Sequence, residues 1–385
     1  MKVSSGSERS QLSRRTLLRL MATGAGLSVV PGLGPTLNLL ARPLPQTAAG
    51  PAFPAGAIVR AVLGDVNPAS INGITLPHEH LGTGRPQAGK KTRRPDEDVD
   101  WMTEELVGIK TKYNVGCIVS ALTGFPNADI RDYLKELSQR TGIQLVLSGG
   151  YYLGSNYPPE TKTQSEDEIA DRLVQLAKDL GMGAYGEIGV TANTADLSAD
   201  EKKVFRAIGK AQSRTGLPVF THNNYSTGPM VPSDIALHQL DALEAGGADL
   251  KKVMLGHMCC LFEPNAQTAI ACAKRGAFIA FDRLTRQQQM VSNENKAKVI
   301  KAFIDAGYIN QVCLSSDYGG RIVLGLGEVE RQPGPYWFTD GGPGWARSIA
   351  WFDPLLRQAG LTEEQMHTIR YDNERRWLAF VPKSA

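Results

Sequence analysis

The feature that most constrains this chain is a strict alternation of short apolar runs with segments of helical periodicity. From residue 58 onward, eight runs rich in β-branched residues follow one another, and six of them end in Gly, His or Asp. These runs span residues 73–80, 117–121, 143–149, 184–190, 217–222, 252–257, 277–282 and 311–317. Because strands that alternate with helices favour a parallel sheet, eight such units predict an α/β fold, a (β/α)8 TIM barrel.

The segments between these runs carry helix signals. Apolar residues recur at helical spacing over residues 129–140, 165–180, 198–215, 233–245, 265–274, 294–306 and 346–358. Ser165 with Glu168, and Ser198 with Glu201, have the spacing of capping boxes at the starts of two helices. An open doubly wound sheet is the alternative. It requires a Gly-rich phosphate loop after the first strand, where this chain has Pro-His-Glu-His at residues 77–80.

The first 49 residues are typical of an export signal rather than of a folded domain. Arg14 and Arg15 lie in Ser-Arg-Arg-Thr-Leu-Leu, which resembles a twin-arginine signal, and a short apolar stretch follows at residues 21–30. We predict a signal and Pro-rich spacer over residues 1–49 and one barrel domain over residues 50–385. The twin-arginine export machinery would then deliver a periplasmic or secreted protein. An uncleaved membrane anchor and a disordered basic tail are the alternatives.

The charge of the chain argues against a polyanionic partner. The net charge is +3, but the first 49 residues hold six of the 42 basic residues and one of the 39 acidic residues. The remaining chain has 36 basic and 38 acidic residues, a net charge of −2. We therefore expect no nucleic acid partner.

Six potential metal ligands lie in the predicted strands or at their ends, which meet at one face of a barrel. They are His78, His80, Glu187, His222, His257 and Asp317. His78 and His80 are two residues apart on one strand, so both imidazoles point the same way. A carboxylate such as Glu187 in an apolar strand is costly unless it is paired or bound to a metal, and a buried Arg partner is the alternative. Together the six predict two divalent ions, with zinc favoured and cobalt, manganese or iron as alternatives.

The order of these ligands resembles that of the amidohydrolase superfamily, and the local sequences resemble the phosphotriesterase family. Residues 75–81, Thr-Leu-Pro-His-Glu-His-Leu, are similar to the opening motif of that family. Further stretches follow in the order of the family, at residues 149–152, 220–223, 255–258, 315–318 and 373–378. The resemblance covers residues 58–382 and implies a barrel hydrolase with a binuclear metal centre.

The resemblance also implies a role for each ligand. His78 and His80 would hold one ion together with Asp317. The other ion would be held by His222 and His257, with Glu187 as the bridge. In the mechanism that this arrangement implies, a metal-bridged hydroxide attacks the ester and Asp317 takes its proton as general base.

One departure from the family bears on the substrate. Glu187 stands where the founding enzymes carry a carboxylated lysine, so the chain resembles the glutamate-bridged branch, which puts organophosphate hydrolysis in doubt. Residues 281–283, Phe-Asp-Arg, resemble the lactonase-like relatives, in which an Arg borders the substrate pocket. Arg283 is therefore a candidate substrate-binding residue, with a surface-facing Arg as the alternative. We expect hydrolysis of a lactone or carboxylic ester, with phosphotriester hydrolysis as a secondary activity.

The loops after the strands would form the substrate pocket. The loop at residues 318–345 is rich in Gly, Pro and aromatic residues, namely Tyr336, Trp337, Phe338 and Trp345. That composition suits an apolar pocket, to which the loop after the third strand adds Tyr152. A packed lid that also covers a homodimer contact is the alternative for the longer loop.

Two other functions fit parts of the pattern. Residues 186–189, Gly-Glu-Ile-Gly, also resemble TatD-type metal nucleases, but those enzymes carry the last Asp in a Thr-Asp-Ser/Ala-Pro context. Here Asp317 lies in Ser-Asp-Tyr-Gly. A catalytically silent periplasmic protein that binds a metal or ligand is the second alternative, and the complete set of six ligands argues against it.

Overall fold

The computed structural model describes residues 51–81, 99–190, 196–225, 231–261, 263–284, 291–319, 335 and 337–383. Within these residues a short antiparallel hairpin, β1 (Val59–Ala61) and β2 (Gly64–Val66), precedes eight parallel strands. The parallel strands are β3 (Ile74–Glu79), β4 (Val115–Ser120), β5 (Gln144–Leu147), β6 (Tyr185–Gly189), β7 (Val219–His222), β8 (Val253–Leu255), β9 (Phe278–Phe281) and β10 (Val312–Leu314). The predicted TIM barrel is confirmed.

The barrel is closed at two junctions where individual hydrogen bonds connect the strand ladders β3–β5 and β6–β10. Between the ends of β5 and β6, the amide of Gly183 donates to the carbonyl of Leu147 at 2.9 Å. Between β10 and β3, the amide of Asp317 donates to the carbonyl of His78 at 3.2 Å, and that of His80 donates to Tyr318 at 2.9 Å. The second junction therefore runs through the predicted ligands themselves.

Ten α-helices lie in the part of the chain that the structure describes. They are α1 (Val99–Tyr113), α2 (Ala128–Thr141), α3 (Glu166–Leu180), α4 (Ala199–Thr215), α5 (Ile235–Ala245), α6 (Gln267–Lys274), α7 (Asn293–Phe303), α8 (Asp353–Gln358), α9 (Glu363–His367) and α10 (Asn373–Leu378). Both predicted capping boxes are present, at the starts of α3 and α4. None of the described helices is long and apolar enough to span a membrane.

Several predicted boundaries are wrong for identifiable reasons. β8 and β10 end at Leu255 and Leu314, and neither could extend to His257 or Asp317, whose backbones are left-handed with φ of 59° and 50°. The predicted helix over residues 346–358 is regular only from α8 onward. A π-helical turn precedes it, and Pro354 has no backbone N–H with which to continue an α-helical pattern.

Helix α1 and the β1–β2 hairpin are absent from the sequence prediction. In α1 the signal was available, because Val99, Met102, Leu106 and Ile109 recur at helical spacing and are all buried. The hairpin strands are three residues each, too short to give a periodic pattern.

An apolar layer fills the barrel interior below the polar end of the strands. Phe220 lies in this layer, and its ring makes an edge contact with Trp377 of α10 at a centroid distance of 5.9 Å. Trp377 donates to the carbonyl of Val219 at the start of β7, so α10 closes the amino-terminal end of the barrel. On its other side Phe220 touches the ring of His78 at 5.2 Å. The polar residues are thereby confined to the carboxyl-terminal end of the strands.

The predicted export signal over residues 1–49 lies outside the described residues, as do Tyr336 and most of the loop that contains it. Both remain predictions.

Candidate metal centre

The structure brings all six predicted ligands together at the carboxyl-terminal end of the barrel. His78 and His80 belong to β3 and its end, Glu187 to β6 and His222 to β7, whereas His257 and Asp317 follow β8 and β10. Five of the six are buried, and the side chain of His80 is 16% exposed. His80 is therefore the predicted ligand nearest to solvent.

Glu187 lies between the two histidine pairs. Its Oε1 is 2.5 Å from Nδ1 of His222 and 3.0 Å from Nε2 of His257. The same oxygen is 3.5 Å from Nε2 of His78, and Oε2 is 4.0 Å from Nε2 of His80. Two groups capable of holding a metal ion share this carboxylate, one with His78 and His80 and the other with His222 and His257. This is the geometry that a bridging carboxylate requires.

Asp317 closes the remaining side of the cluster. Its Oδ1 is 2.8 Å from Nε2 of His80 and 3.6 Å from Nε2 of His78, and its Oδ2 is 4.0 Å from Nε2 of His257. The left-handed backbones of His257 and Asp317 cost free energy in residues other than Gly, and such strain concentrates at functional sites. The carboxylate is thus within reach of both histidine pairs.

Each of the four histidines turns one ring nitrogen toward the cluster and has the other beside an oxygen acceptor. The outer contacts are His78 Nδ1 with Asp282 Oδ2 at 2.7 Å, His80 Nδ1 with the Ala121 carbonyl at 2.8 Å, His222 Nε2 with Asn224 Oδ1 at 2.9 Å, and His257 Nδ1 with Asp282 Oδ1 at 2.9 Å. An oxygen that accepts a proton from the outer nitrogen leaves the inner nitrogen with a free lone pair. The outer contacts of all four rings are therefore compatible with the tautomer that binds a metal.

These inner nitrogens fit a divalent cation. Nε2 of His78 is buried and has no hydrogen-bond partner among the described residues. Nδ1 of His222 and Nε2 of His257 are 2.9 Å apart beside Glu187, so both nitrogens are close enough to bind one cation. Imidazole nitrogens with carboxylate oxygens and no thiolate suit zinc, cobalt, manganese and iron.

Two carboxylates at the centre, those of Glu187 and Asp282, have a pKa below the ordinary value. Burial alone would raise the pKa of Glu187, but His222 and His78 hold it well below its ordinary value. Burial likewise opposes ionisation of Asp282, and the charges of His257 and His78 outweigh it, so the pKa of Asp282 is also far below its ordinary value. The centre therefore offers fixed negative charge to cations.

Asp282 is a functional residue that the sequence interpretation missed. It is fully buried at the end of β9, and besides both imidazoles it accepts a hydrogen bond from the amide of His257 at 2.7 Å. One carboxylate thus orients a histidine from each half of the centre. The signal was present, because Asp282 is the last residue of a predicted strand, as Asp317 is.

Glu79 is a second residue whose role the sequence did not reveal. Its buried carboxylate accepts hydrogen bonds from the Ser315 hydroxyl at 2.8 Å and from the amides of Ser316 and Tyr318 at 2.8 and 2.9 Å. Burial raises the pKa of Glu79 to about 7 against the effect of these hydrogen bonds. Glu79 therefore fixes the segment that carries Asp317.

The two predicted substrate-binding residues both border the cluster. The hydroxyl of Tyr152 is 3.5 Å from Nδ1 of His222, and the two rings are in edge contact at 5.0 Å. Arg283 is 5% exposed, which excludes the surface-facing alternative. Its Nε donates to Oδ2 of Asp317 at 2.9 Å, while its Nη1 is buried without a hydrogen-bond partner in the described part of the chain.

The described aromatic residues of the long loop do not line an open pocket as expected. Trp345 is fully buried and donates to the carbonyl of Tyr318 at 3.1 Å. Phe338 is held against α1, because its amide donates to the carboxylate of Glu105 at 2.8 Å. The ring of Trp337 packs on Trp101 of the same helix. In this part the loop is packed against the barrel, as the alternative of a packed lid predicts, and the homodimer contact of that alternative stays a prediction.

A cleft of about 900 Å³ lies next to the centre instead. It is lined by residues 122–127, by the first turns of α2 and by Val99. The carbonyl of Leu122 in its wall accepts a hydrogen bond from the amide of Glu187 at 3.2 Å. The cleft is thus separated from the candidate bridge by one layer of backbone.

Comparison with known proteins places this geometry in a family. The sequence model described as "Phosphotriesterase family" matches residues 57–378. The phosphotriesterase homology protein of Escherichia coli K12 is 26% identical over 307 residues, which cover 78% of this chain and 96% of that protein. The aryldialkylphosphatase of Saccharolobus solfataricus is 27% identical, covering 80% and 95%. The N-acetyltaurine hydrolase of Xenopus tropicalis is 23% identical, covering 84% and 98%.

Solved structures agree with these sequence matches. A crystal structure of the Escherichia coli phosphotriesterase homology protein, complexed with phosphate in its active site, superposes with a TM-score of 0.63 at 25% identity. It covers 80% of this chain and 99% of that chain. A resiniferatoxin-binding protein from Rhodobacter sphaeroides gives a TM-score of 0.66 at 27% identity, covering 84% and 95%.

Proposed function

This chain belongs to the phosphotriesterase family of metal-dependent hydrolases, and we propose that its substrate is a lactone or a carboxylic ester. The six candidate ligands and their outer hydrogen bonds support a binuclear centre bridged by Glu187. We propose zinc as the resident metal, with cobalt, manganese or iron as the alternatives that reconstitution tests. The family match also disfavours the TatD-type nuclease.

The observation that carries the substrate class is the buried pair of Arg283 and Asp317. Nε of Arg283 holds the carboxylate that we propose as general base, and Nη1 is a donor without a partner among the described residues. A buried donor left unsatisfied is costly, so an oxygen acceptor supplied by a bound substrate would stabilise it. The carbonyl or ring oxygen of a lactone or ester is such an acceptor.

The residues of this chain have distinct roles in the proposed hydrolysis. Divalent ions in such a centre supply Lewis acidity and promote deprotonation of a water molecule. Asp317 accepts the proton of the attacking water, and Arg283 keeps that carboxylate oriented toward the cluster. Tyr152, beside His222, would contact the substrate as well.

A second candidate substrate is an N-acyl amide that carries an anionic group. The free N–H of Arg283 favours it, because a guanidinium pairs strongly with anions. Several relatives of similar coverage are named N-acetyltaurine hydrolases. The same contact therefore supports either substrate class, and only a direct comparison of substrates separates them.

The test is a panel of substrates on the protein reconstituted separately with zinc, manganese and cobalt. It contains γ- and δ-lactones of increasing chain length, aryl carboxylic esters, a phosphotriester and N-acetyltaurine. We expect kcat/KM for the best lactone or ester to exceed that for the other classes by at least ~100-fold, or about 2.8 kcal/mol. Preferred cleavage of N-acetyltaurine would contradict the ester assignment. No hydrolysis by protein containing two metal ions would favour the catalytically silent alternative.

Arg283→Lys tests the contact that carries the proposal. A lysine cannot reproduce the planar, multiple donors of a guanidinium, so we expect at least a ~10-fold fall in kcat/KM. The matched control is Arg275→Lys, because Arg275 pairs with Asp241 and Glu244 at the protein surface. An equal effect of the two substitutions would contradict a role for Arg283 at the substrate.

A further inference from the structure

Two adjacent cysteines lie directly behind the candidate metal centre, and neither belongs to its ligand set. Cys259 and Cys260 form part of the single turn that follows β8, immediately after His257. Both side chains are buried, and their Sγ atoms are 3.8 Å apart. All five cysteines of the chain are free thiols, and this is a pair of sulfur atoms in mutual contact.

The surroundings of this pair connect it to the hydrolytic residues. The amide of Cys260 donates to the carbonyl of His257 at 3.0 Å, and the amide of Arg283 donates to Sγ of Cys259 at 3.3 Å. The buried ammonium of Lys296 donates to the carbonyl of Arg283 at 2.8 Å. The cysteine pair is therefore held against the same backbone segment that carries Arg283.

We propose that Cys259 and Cys260 are a site of reversible oxidation, at which a peroxide converts the two thiols to a disulfide between adjacent residues. The sulfur of one cysteine attacks a peroxide oxygen, the O–O bond breaks, and one water leaves with formation of a sulfenic acid. The second sulfur then displaces the sulfenic oxygen as a second water. The two sulfur atoms supply the two electrons that reduce the peroxide.

Little movement is needed to form this bond, but the product is constrained. The sulfur atoms must approach from 3.8 Å to about 2.05 Å, a shift that side-chain rotation and a small backbone adjustment supply. Adjacent Cα atoms are about 3.8 Å apart, below the usual separation of ~4.4–6.8 Å across a disulfide. Strained disulfides are readily reduced, so dithiothreitol should reverse the oxidation.

Oxidation should also reach the proposed active site. When Sγ of Cys259 moves toward Cys260, it loses the hydrogen bond from the backbone amide of Arg283. The side chain of Arg283 in turn holds Asp317, so a shift of Arg283 would also move Asp317. The expected effect of oxidation on hydrolysis rests on the proposed function. We expect oxidised protein to hydrolyse its substrate at least ~10-fold more slowly, with full recovery after reduction.

The chemical test does not depend on any substrate. Metal-loaded protein is treated with hydrogen peroxide, denatured, alkylated and weighed by intact mass spectrometry. We expect the wild type to lose two alkylatable thiols and two hydrogens, and to regain both after dithiothreitol. Cys259→Ser and Cys260→Ser should each abolish this change, and Cys272→Ser should retain it. Chymotryptic cleavage after Phe262 is required for mapping, because the tryptic peptide 253–274 also contains Cys272.

The outcomes separate the two parts of the proposal. Retention of all five thiols, a disulfide that links two chains, or irreversible sulfinic acid would overturn the oxidation site. A disulfide at these residues that leaves hydrolysis unchanged would overturn the link to Arg283. Absence of hydrolysis in reduced protein would count against the proposed function and would leave the thiol result intact.

Discussion

Replacement of Asp282 by Asn should weaken metal binding although Asp282 is not one of the six candidate ligands. The carboxylate accepts from Nδ1 of both His78 and His257 and from the amide of His257. An Asn of the same size retains one oxygen and gains a donor group. At least one imidazole must then face that donor, or move its own proton to the nitrogen that faces the centre. Either response disables a ligand.

The size of the effect follows from these contacts. Loss of a residue that orients a metal ligand typically costs 10–100-fold in affinity or activity. Asp282 orients one histidine in each half of the centre, and its charge lies in a fully buried position. We therefore expect affinity for at least one ion to fall by ~100-fold or more, about 2.8 kcal/mol at 1.4 kcal/mol for each factor of ten.

Competition with a chromophoric chelator measures this affinity directly. Asp353→Asn is the matched control, because Asp353 is also a buried carboxylate but pairs with Arg370 and not with any of the four histidines. The control should lose stability without losing metal affinity. Metal affinity of Asp282→Asn within ~3-fold of the wild type, in protein with an unchanged circular dichroism spectrum, would refute the orienting role.

Two further predictions concern other regions. Burial raises the pKa of Glu374 from 4.5 to about 8, so the folded protein retains this proton over a range in which the unfolded chain loses it. The free energy of unfolding should therefore fall as pH rises from about 4.5 to 8. Urea titrations should show a smaller fall with pH for Glu374→Gln than for the wild type. An equal fall in both proteins would contradict a buried neutral Glu374. Replacing both Arg14 and Arg15 by Lys should retain active protein in the cytoplasm, and unchanged delivery to the periplasm would contradict the export signal.

The sequence was sufficient for the barrel and for the placement of all six candidate ligands, because both depend on local patterns. Strand–helix alternation determines the closed sheet, and residues such as Glu187 stand out as carboxylates in apolar strands. His78 and His80 likewise show their common direction through their spacing alone.

The remaining features depend on contacts between residues distant in the chain. Asp282 lies 204 residues from His78 and 25 from His257, and no local pattern shows that one carboxylate serves both. The packing of the aromatic loop at residues 318–345 also depends on distant residues, because its composition suits either a pocket or a packed cover. The contact of Phe338 with Glu105, 233 residues away, decides for the cover.

The central claim is that Glu187 bridges two ions, and the metal content of Glu187→Gln tests it most directly. The substitution keeps the shape of the side chain and removes its charge, so two cations would repel each other with one anionic ligand fewer. Elemental analysis at saturating zinc or manganese should give close to two ions for each wild-type chain and at most one for the variant. Activity should fall by at least ~100-fold. Two ions retained in Glu187→Gln, together with a lowered melting temperature, would contradict the account and assign Glu187 a purely structural role.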